Sequence, residues 1–242
     1  MGPNIQLLLL LGTITAAFKY KFISTKKNWA DAHSYCVTKY TDLAPINDES
    51  DIKLLQEQAA GYSGLIWFGL IRKIIDQNTY RYMWSGGGEV KRFFWGKNQP
   101  DSGKDDNYGL LINYRWHDIS DKTEAFFCYS VHVVREEKTW EEALDHCRTH
   151  YTDMATISSE TEMMLIQKEL NKNTSTAHVW MGLRFLAKEW MWVDGQVREY
   201  EAWGQGGKPE CPVGNRDCGA LVFKEGVWEA HDSREKLHFI CY

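Results

Sequence analysis

The sequence has no run of 18 or more apolar residues, so nothing in it reads as a membrane-spanning helix. It has no basic excess either. Its 28 Lys and Arg stand against 33 Asp and Glu, a net charge of −5, which excludes the electrostatic footprint of nucleic-acid binding. No P-loop, no zinc motif and no nucleophile–base–orienter set appears, and the sequence is read as that of a non-enzyme. His33, His146, His150 and His178 show no metal-ligand spacing to a carboxylate. What is present is typical of a globular chain: 242 residues, 43% hydrophobic and 25% charged, enough for one sizeable core or two modest ones. Eleven Trp and an aromatic content of 14% stand out, and such side chains fill cores or form binding surfaces.

Residues 7 to 17 run Leu-Leu-Leu-Leu-Leu-Gly-Thr-Ile-Thr-Ala-Ala. An apolar segment this short, ending in small residues, reads as a secretory leader over residues 1–17, with Thr15 and Ala17 at the −3 and −1 positions. A secreted, extracellular protein is expected, and its six Cys are then read as disulfides before metal or redox sites.

The most informative feature is an internal repeat. Lys27-Asn28-Trp29-Ala30 through Cys36 recurs as Lys138-Thr139-Trp140-Glu141 through Cys147, and Tyr40-Thr41-Asp42-Leu43-Ala44 recurs as Tyr151-Thr152-Asp153-Met154-Ala155. Trp67-Phe68-Gly69-Leu70 recurs as Trp180-Met181-Gly182-Leu183. Trp95-Gly96, Trp116 and Phe127-Cys128-Tyr129 return as Trp203-Gly204, Trp228 and Ile240-Cys241-Tyr242. Two abutting copies of one domain follow, over 18–129 and 130–242. Each copy opens with two helices. Asn28 and Thr139 are the N-caps of the first, and Thr139 with Glu142 spells a capping box. Trp29, Ala32 and Cys36, mirrored by Trp140, Ala143 and Cys147, fall on one helical face. Ser159 and Glu162 are read as capping the second helix of the second copy. Short runs at Leu65–Leu70, Tyr80–Trp84, Tyr108–Asn113 and Ala125–Tyr129 read as antiparallel strands with long loops. The fold class is α+β. Trp67, Trp84, Trp180 and Trp192 belong to the core in this reading.

On these residues each copy resembles a C-type lectin-like domain. The core strand Trp-x-Gly-Leu, the helix Cys, the closing Cys and the Trp shortly before it carry the resemblance, and Gln99-Pro100-Asp101 matches the loop tripeptide of sugar-binding members. The whole resembles the secreted two-domain lectins of fish and other animals. The resemblance implies disulfides Cys36–Cys128 and Cys147–Cys241. Each closes a loop of some 90 residues, for which the chain-entropy estimate is about 4 kcal/mol. It also shows the family's inner bridge to be broken in both copies. Tyr108 and Asp121 stand at its two positions in the first; in the second, Cys218 remains while Ser233 stands opposite. Cys211, seven residues before Cys218, is read as its new partner, with two free thiols or an intermolecular link as the other readings.

The resemblance further implies a calcium site in domain 1 formed by Gln99, Asp101, Asp106 and Asp118, with Asp105 as the alternative to Asp106. A cis bond before Pro100 aims the flanking side chains at the ion. The same residues, with His117, would bind carbohydrate, since a carboxylate accepts from a sugar hydroxyl and an amide donates to it. Gln-Pro-Asp is the order of galactose-type members, although Ser102-Gly103-Lys104 follows where those members place a stacking Trp. His117 replaces the usual Asn, and imidazole is a poor ligand for a cation that takes 6–8 oxygens; weak calcium binding is expected. Asp118→Ala is expected to abolish glycan binding without unfolding. In domain 2, Lys208-Pro209-Glu210 and Trp228-Glu229-Ala230 replace the two ligand motifs, so no lectin-type calcium is expected there. Domain 2 carries a charge of about −6 against about +1 for domain 1, an asymmetry that suits a protein partner or a solvated face. Asn173-Thr174-Ser175 is a glycosylation acceptor. The reading is a calcium-dependent lectin for a glycan or glycoprotein; the alternative is a calcium-independent recognition protein with a protein partner.

Overall fold

A computed structural model describes residues 18–242, apart from 77–78, 104, 173–175, 197–198 and 211–213. The expected leader, the acceptor Asn173 and Cys211 lie outside the described residues. Domain 1 runs β1 (Tyr20–Lys27), α1 (Trp29–Lys39), β2 (Asp42–Leu43), α2 (Glu49–Gln58), β3 (Ile66–Ile74), β4 (Tyr80–Trp84), β5 (Tyr108–Ile112), β6 (Arg115–Ile119) and β7 (Glu124–Tyr129). Domain 2 repeats the plan as β8 (His132–Lys138), α3 (Trp140–His150), α4 (Glu160–Asn171), β9 (His178–Leu186), β10 (Glu189–Trp192), β11 (Cys218–Val222), β12 (Val227–His231) and β13 (Leu237–Cys241). The α+β architecture is therefore present twice.

The helix starts follow from their caps. Asn28 Oδ1 accepts from the Asp31 amide, and Thr139 with Glu142 closes a full capping box. In each sheet the returning last strand lies parallel to the core strand, β7 beside β3 and β13 beside β9, while the remaining pairs are antiparallel. This places the first and last strands side by side and lets Cys36–Cys128 and Cys147–Cys241 staple the first helix to the closing strand. Trp67 and Trp180 are fully buried, and Trp84 and Trp192 nearly so.

The inner-bridge positions are filled differently in the two copies. In domain 1, Tyr108 stacks on Trp29 with ring centroids 4.9 Å apart, and Asp121 accepts from the Trp29 amide at 3.0 Å, so a carboxylate takes up one of the helix's free N-terminal donors. In domain 2, the Arg184 guanidinium lies 4.8 Å over Trp140, and the Trp140 amide bonds to the Ser233 carbonyl. The Cys211–Cys218 bridge inferred from the even cysteine count is not formed at its described end: Cys218 is a buried free thiol. Its sulfur faces the core of Trp140, Trp180 and Cys241 and donates to Asp217, and burial raises its pKa strongly.

One buried cluster spans the two domains, beside a separate cluster in each. Ile46, Tyr129 and Trp84 belong to the same buried cluster as Ile157, Leu165 and Tyr242. The Gly86–Gly88 turn lies directly on α4; a Cβ at Gly86 would sit 2.3 Å from Leu165. At the centre of the interface the Lys19 ammonium reaches Asp51 at 2.9 Å and Glu162 at 2.6 Å, all three side chains at most 5% exposed. Asp51 and Glu162 occupy equivalent positions of the two copies. Beside them the Tyr129 and Tyr242 hydroxyls, another equivalent pair, are 2.9 Å apart. Glu162 thus departs from its expected cap role. Ser159 caps α4 through its own hydroxyl, while Glu162 turns inward to Ser158 and Lys19.

Burial opposes the Lys19 charge, but the two carboxylates outweigh it and hold its pKa well above the ordinary lysine value. Burial, with Asp51 adding to it and Lys19 opposing, raises that of Glu162. Removing the cation leaves two buried carboxylates facing each other. Lys19→Met is expected to destabilise the protein by about 3–5 kcal/mol in urea unfolding. Adding Glu162→Gln should recover part of that loss, because it removes the like charge that the missing ammonium no longer offsets.

Candidate functional site

The long connection from β4 to β5 in domain 1 is drawn back onto the sheet by β6. The Gly96 amide bonds to the Trp116 carbonyl, and the Trp116 amide to the Phe94 carbonyl. Trp116 itself is fully buried among Phe68, Trp84, Phe94 and Trp95. Asp118, two residues on along the same face, therefore stands at a fixed point beneath Asp101 and Ser102. Gln99–Pro100 is cis, as the resemblance implied.

Asp118 is 4% exposed, and its carboxylate is already engaged. Oδ1 accepts from the Asp101 amide at 3.1 Å; Oδ2 accepts from the Ser102 amide at 3.0 Å and the Tyr82 hydroxyl at 3.1 Å. Gln99 Oε1 in turn accepts from the Asp118 amide at 3.2 Å. Burial, reinforced by the Asp118 charge, pushes the Tyr82 phenol well above its ordinary pKa, so it stays a donor. Gln99, Asp101 and Asp118 are thus brought together, whereas His117, expected among them, precedes Asp118 on the strand and projects to its other face. Asp118 holds the loop as well as facing the site, so Asp118→Ala would disturb both at once.

Asp106 sits on the other flank. Its carboxylate folds over Gly103, whose carbonyl takes a 2.8 Å bond from Arg72. Arg72 also reaches Asn107 Oδ1 and lies over the Tyr80 ring at 5.2 Å. A guanidinium thus already occupies the underside of this loop. His117 packs against Gly96. Burial lowers its pKa, with Asp101 and Asp118 opposing, so the ring is neutral at pH 7.

The donor set matches calcium loosely. One lone pair remains at Gln99 Oε1 and one at Asp118 Oδ1 after the bonds above are counted, and the exposed Asp101 carboxylate is the freest group. These fall well short of the 6–8 oxygens calcium takes, so water or ligand hydroxyls would complete the sphere. The sequence reading missed the aromatic rim. Tyr80 and Phe93 are exposed; the Tyr80 hydroxyl meets Ser102 at 3.2 Å, and Phe93 stacks on Trp95. Their alternation with buried Tyr82 on one strand, and with Trp95, was the available signal.

In domain 2, Lys208 pairs with Glu201, and the Pro209 carbonyl accepts from the Trp190 indole. Glu229 and Ala230 lie on β12. One expectation is corrected here: His178 is no isolated histidine. The fold carries it from the start of β9 to Glu229 and His231, and the three ligand atoms lie within 4.8 Å of one another. The sequence separates His178 from His231 by more than 50 residues, so only the strand order reveals the group.

The description "Lectin C-type domain" matches residues 25–130 and again 136–242. The chain belongs to the C-type lectin domain family. It is 29% identical to L-selectin of Rattus norvegicus over 122 residues, which cover 48% of this chain and 32% of that one. It is 22% identical to C-type mannose receptor 2 of Homo sapiens over 267 residues, 93% of this chain and 17% of the receptor. The lectin chain therefore spans under a third of the length of these relatives. Human lithostathine superposes on 46% of it, and on 80% of lithostathine, at 21% identity and a TM-score of 0.42. Proteins of this family are lectins and receptors, generally without enzymatic activity, and members often bind calcium. No helix among the described residues is long and apolar enough to cross a membrane.

The loop anchoring gives a direct test. Asp118→Ala removes the acceptor of two backbone amides and one phenol, and is expected to cost about 1–3 kcal/mol in stability without any ligand present. The Asp101 and Ser102 amides should exchange faster with solvent in hydrogen-exchange measurements.

Proposed function

We propose that this is a secreted carbohydrate-binding lectin whose sugar site is the 99–106 loop of domain 1, with domain 2 as its structural partner. The observation that carries the reading is the convergence of Gln99 and Asp101 on Asp118 beside the exposed Tyr80 and Phe93 rings. Amide and carboxylate supply the mixed donors and acceptors that sugar hydroxyls need, and the rings offer apolar faces. Relatives named selectin and mannose receptor point the same way. Gln99, Asp101 and Asp118 would hold calcium weakly, with Asp106 at the flank; the ion, when bound, would anchor a pair of sugar hydroxyls. The tripeptide order favours galactose-type ligands. A single such site binds weakly, so arrayed glycans on a glycoprotein would be the practical target.

Arg72 and the engaged carboxylate of Asp118 favour a second reading. In it the loop is shaped without calcium and recognises a protein.

Asp101→Asn separates the two readings, because the Asp101 carboxylate takes no part in anchoring the loop whereas its amide does. On a glycan array at millimolar calcium, the lectin reading expects retention of galactose-type glycans that is lost both with EDTA and in Asp101→Asn, at unchanged thermal stability. Retention indifferent to EDTA and to Asp101→Asn would leave calcium out of the mechanism, and an array with no retention would favour the protein-recognition reading.

A further inference from the structure

The cluster on β12 of domain 2 is unrelated to the sugar site. Nε2 of His178 lies 3.6 Å from Glu229 Oε2, and Nε2 of His231 lies 3.5 Å from the same oxygen. The two imidazole centroids are 4.6 Å apart. Metal–ligand bonds of about 2.0–2.1 Å in a tetrahedral zinc site place neighbouring ligand atoms about 3.3 Å apart; both histidine–carboxylate spacings are close to this, and the two histidine nitrogens, within 4.8 Å of each other, would draw together on the ion.

Three further features make this a built site. First, β9 and β12 are not neighbours; β11 runs between them. The side chains meet across it because Ala220, which pairs with both Trp180 and Glu229, is small. Second, the outer nitrogen of His231 is already oriented. Nδ1 donates to Glu235 at 3.0 Å, and Glu235 is itself fixed by the Asp232 amide. An ion at Nε2 would leave the proton on Nδ1, where the Glu235 carboxylate accepts it. A carboxylate behind a histidine ligand is the usual way proteins orient and strengthen it. Third, the fold does not require these groups. By the repeat, the corresponding positions of domain 1 hold Leu65, His117 and Ile119, so the same strands form with apolar side chains at two of the three.

We infer that His178, Glu229 and His231 form a transition-metal site in domain 2, of the two-imidazole, one-carboxylate type that zinc takes. Two borderline nitrogens and one carboxylate suit zinc, and they are a poor set for calcium. Glu229 is half exposed and the histidines are partly so, so a fourth position faces solvent. Water would fill it, or a donor from a bound partner. The ion would tie the start of β9 to β12 across the intervening strand.

Calorimetric titration of the full chain with zinc chloride in a chelator-free buffer tests this. The expected result is one site of micromolar affinity. It should disappear in His178→Ala and in His231→Ala and weaken about tenfold in Glu235→Gln. Glu229→Gln, which preserves shape, should also weaken it if either histidine variant folds poorly by circular dichroism. Cobalt should give the intense visible absorption of a four-coordinate ion. His146 and His150 on α3, with ring centroids 4.5 Å apart, are the control: His150→Ala should leave the titration unchanged. Zinc binding lost in His150→Ala but kept in His231→Ala would overturn the assignment, as would no binding up to millimolar zinc.

Discussion

The Lys19 ammonium sits between Asp51 and Glu162 with almost no access to water, and the relative placement of the two domains turns on it. Each carboxylate comes from the equivalent position of its own copy, so the repeat places two like charges at one interface. Such a pair cannot stay ionised and buried without a cation. Lys19 supplies it from outside the repeated helices and strands, and the Ser130 amide at the domain junction bonds to its carbonyl. Around this centre each copy also makes a bond of its own. Tyr20 donates to the Pro45 carbonyl within domain 1 and Tyr242 to the Thr156 carbonyl within domain 2, the two acceptors being equivalent positions. At the edge, Lys168 of domain 2 reaches Asp42 of domain 1. Asp42 is buried, which alone would raise its pKa, yet its bonds to His33 and Ser85 and the Lys168 charge lower it. The domains are thus joined through buried charge as well as apolar packing.

The two copies also show how one fold tolerates the loss of a covalent bond. The outer disulfides remain in both. Where the inner bridge is absent, the strand end and the first helix still need a specific contact, and each copy finds a different one. Domain 1 stacks Tyr108 on Trp29 and caps the helix with Asp121. Domain 2 lays Arg184 over Trp140 and balances that cation with Glu141 and Asp217. Both solutions keep the indole of the helix's first residue in place. In each copy the indole nitrogen bonds to the equivalent core-strand carbonyl, Phe68 or Met181.

Much of this was legible in the sequence because it rests on local rules or on repetition. The caps at Asn28 and Thr139 and the helical face of Trp29, Ala32 and Cys36 follow from spacing alone, and the outer disulfides from family resemblance. What escaped depends on contacts between segments far apart in the chain. Glu162 has the spacing of a cap residue, and only the presence of Lys19 across the interface turns it inward. Asp118 matches a ligand motif, yet in the fold the Asp101 and Ser102 amides and the Tyr82 hydroxyl occupy its oxygens. Cys218 had a partner in the count of cysteines, but the strand it begins turns its sulfur into the core.

The strand after the loop is where the copies diverge most in chemistry while agreeing in geometry. Trp116 and Trp228 are both buried and fix the strand against its own core. The residues that follow differ between the copies: His117-Asp118-Ile119 in one, Glu229-Ala230-His231 in the other. Alternation along a strand sends successive side chains to opposite faces. In domain 1 the residue that matters is the second, Asp118, which anchors the Asp101–Ser102 backbone. In domain 2 the first and third share the opposite face, over Ala220, where His178 meets them. A single-residue difference in which positions carry donors therefore moves the polar chemistry from the loop side of the sheet to the other, without any change in backbone path.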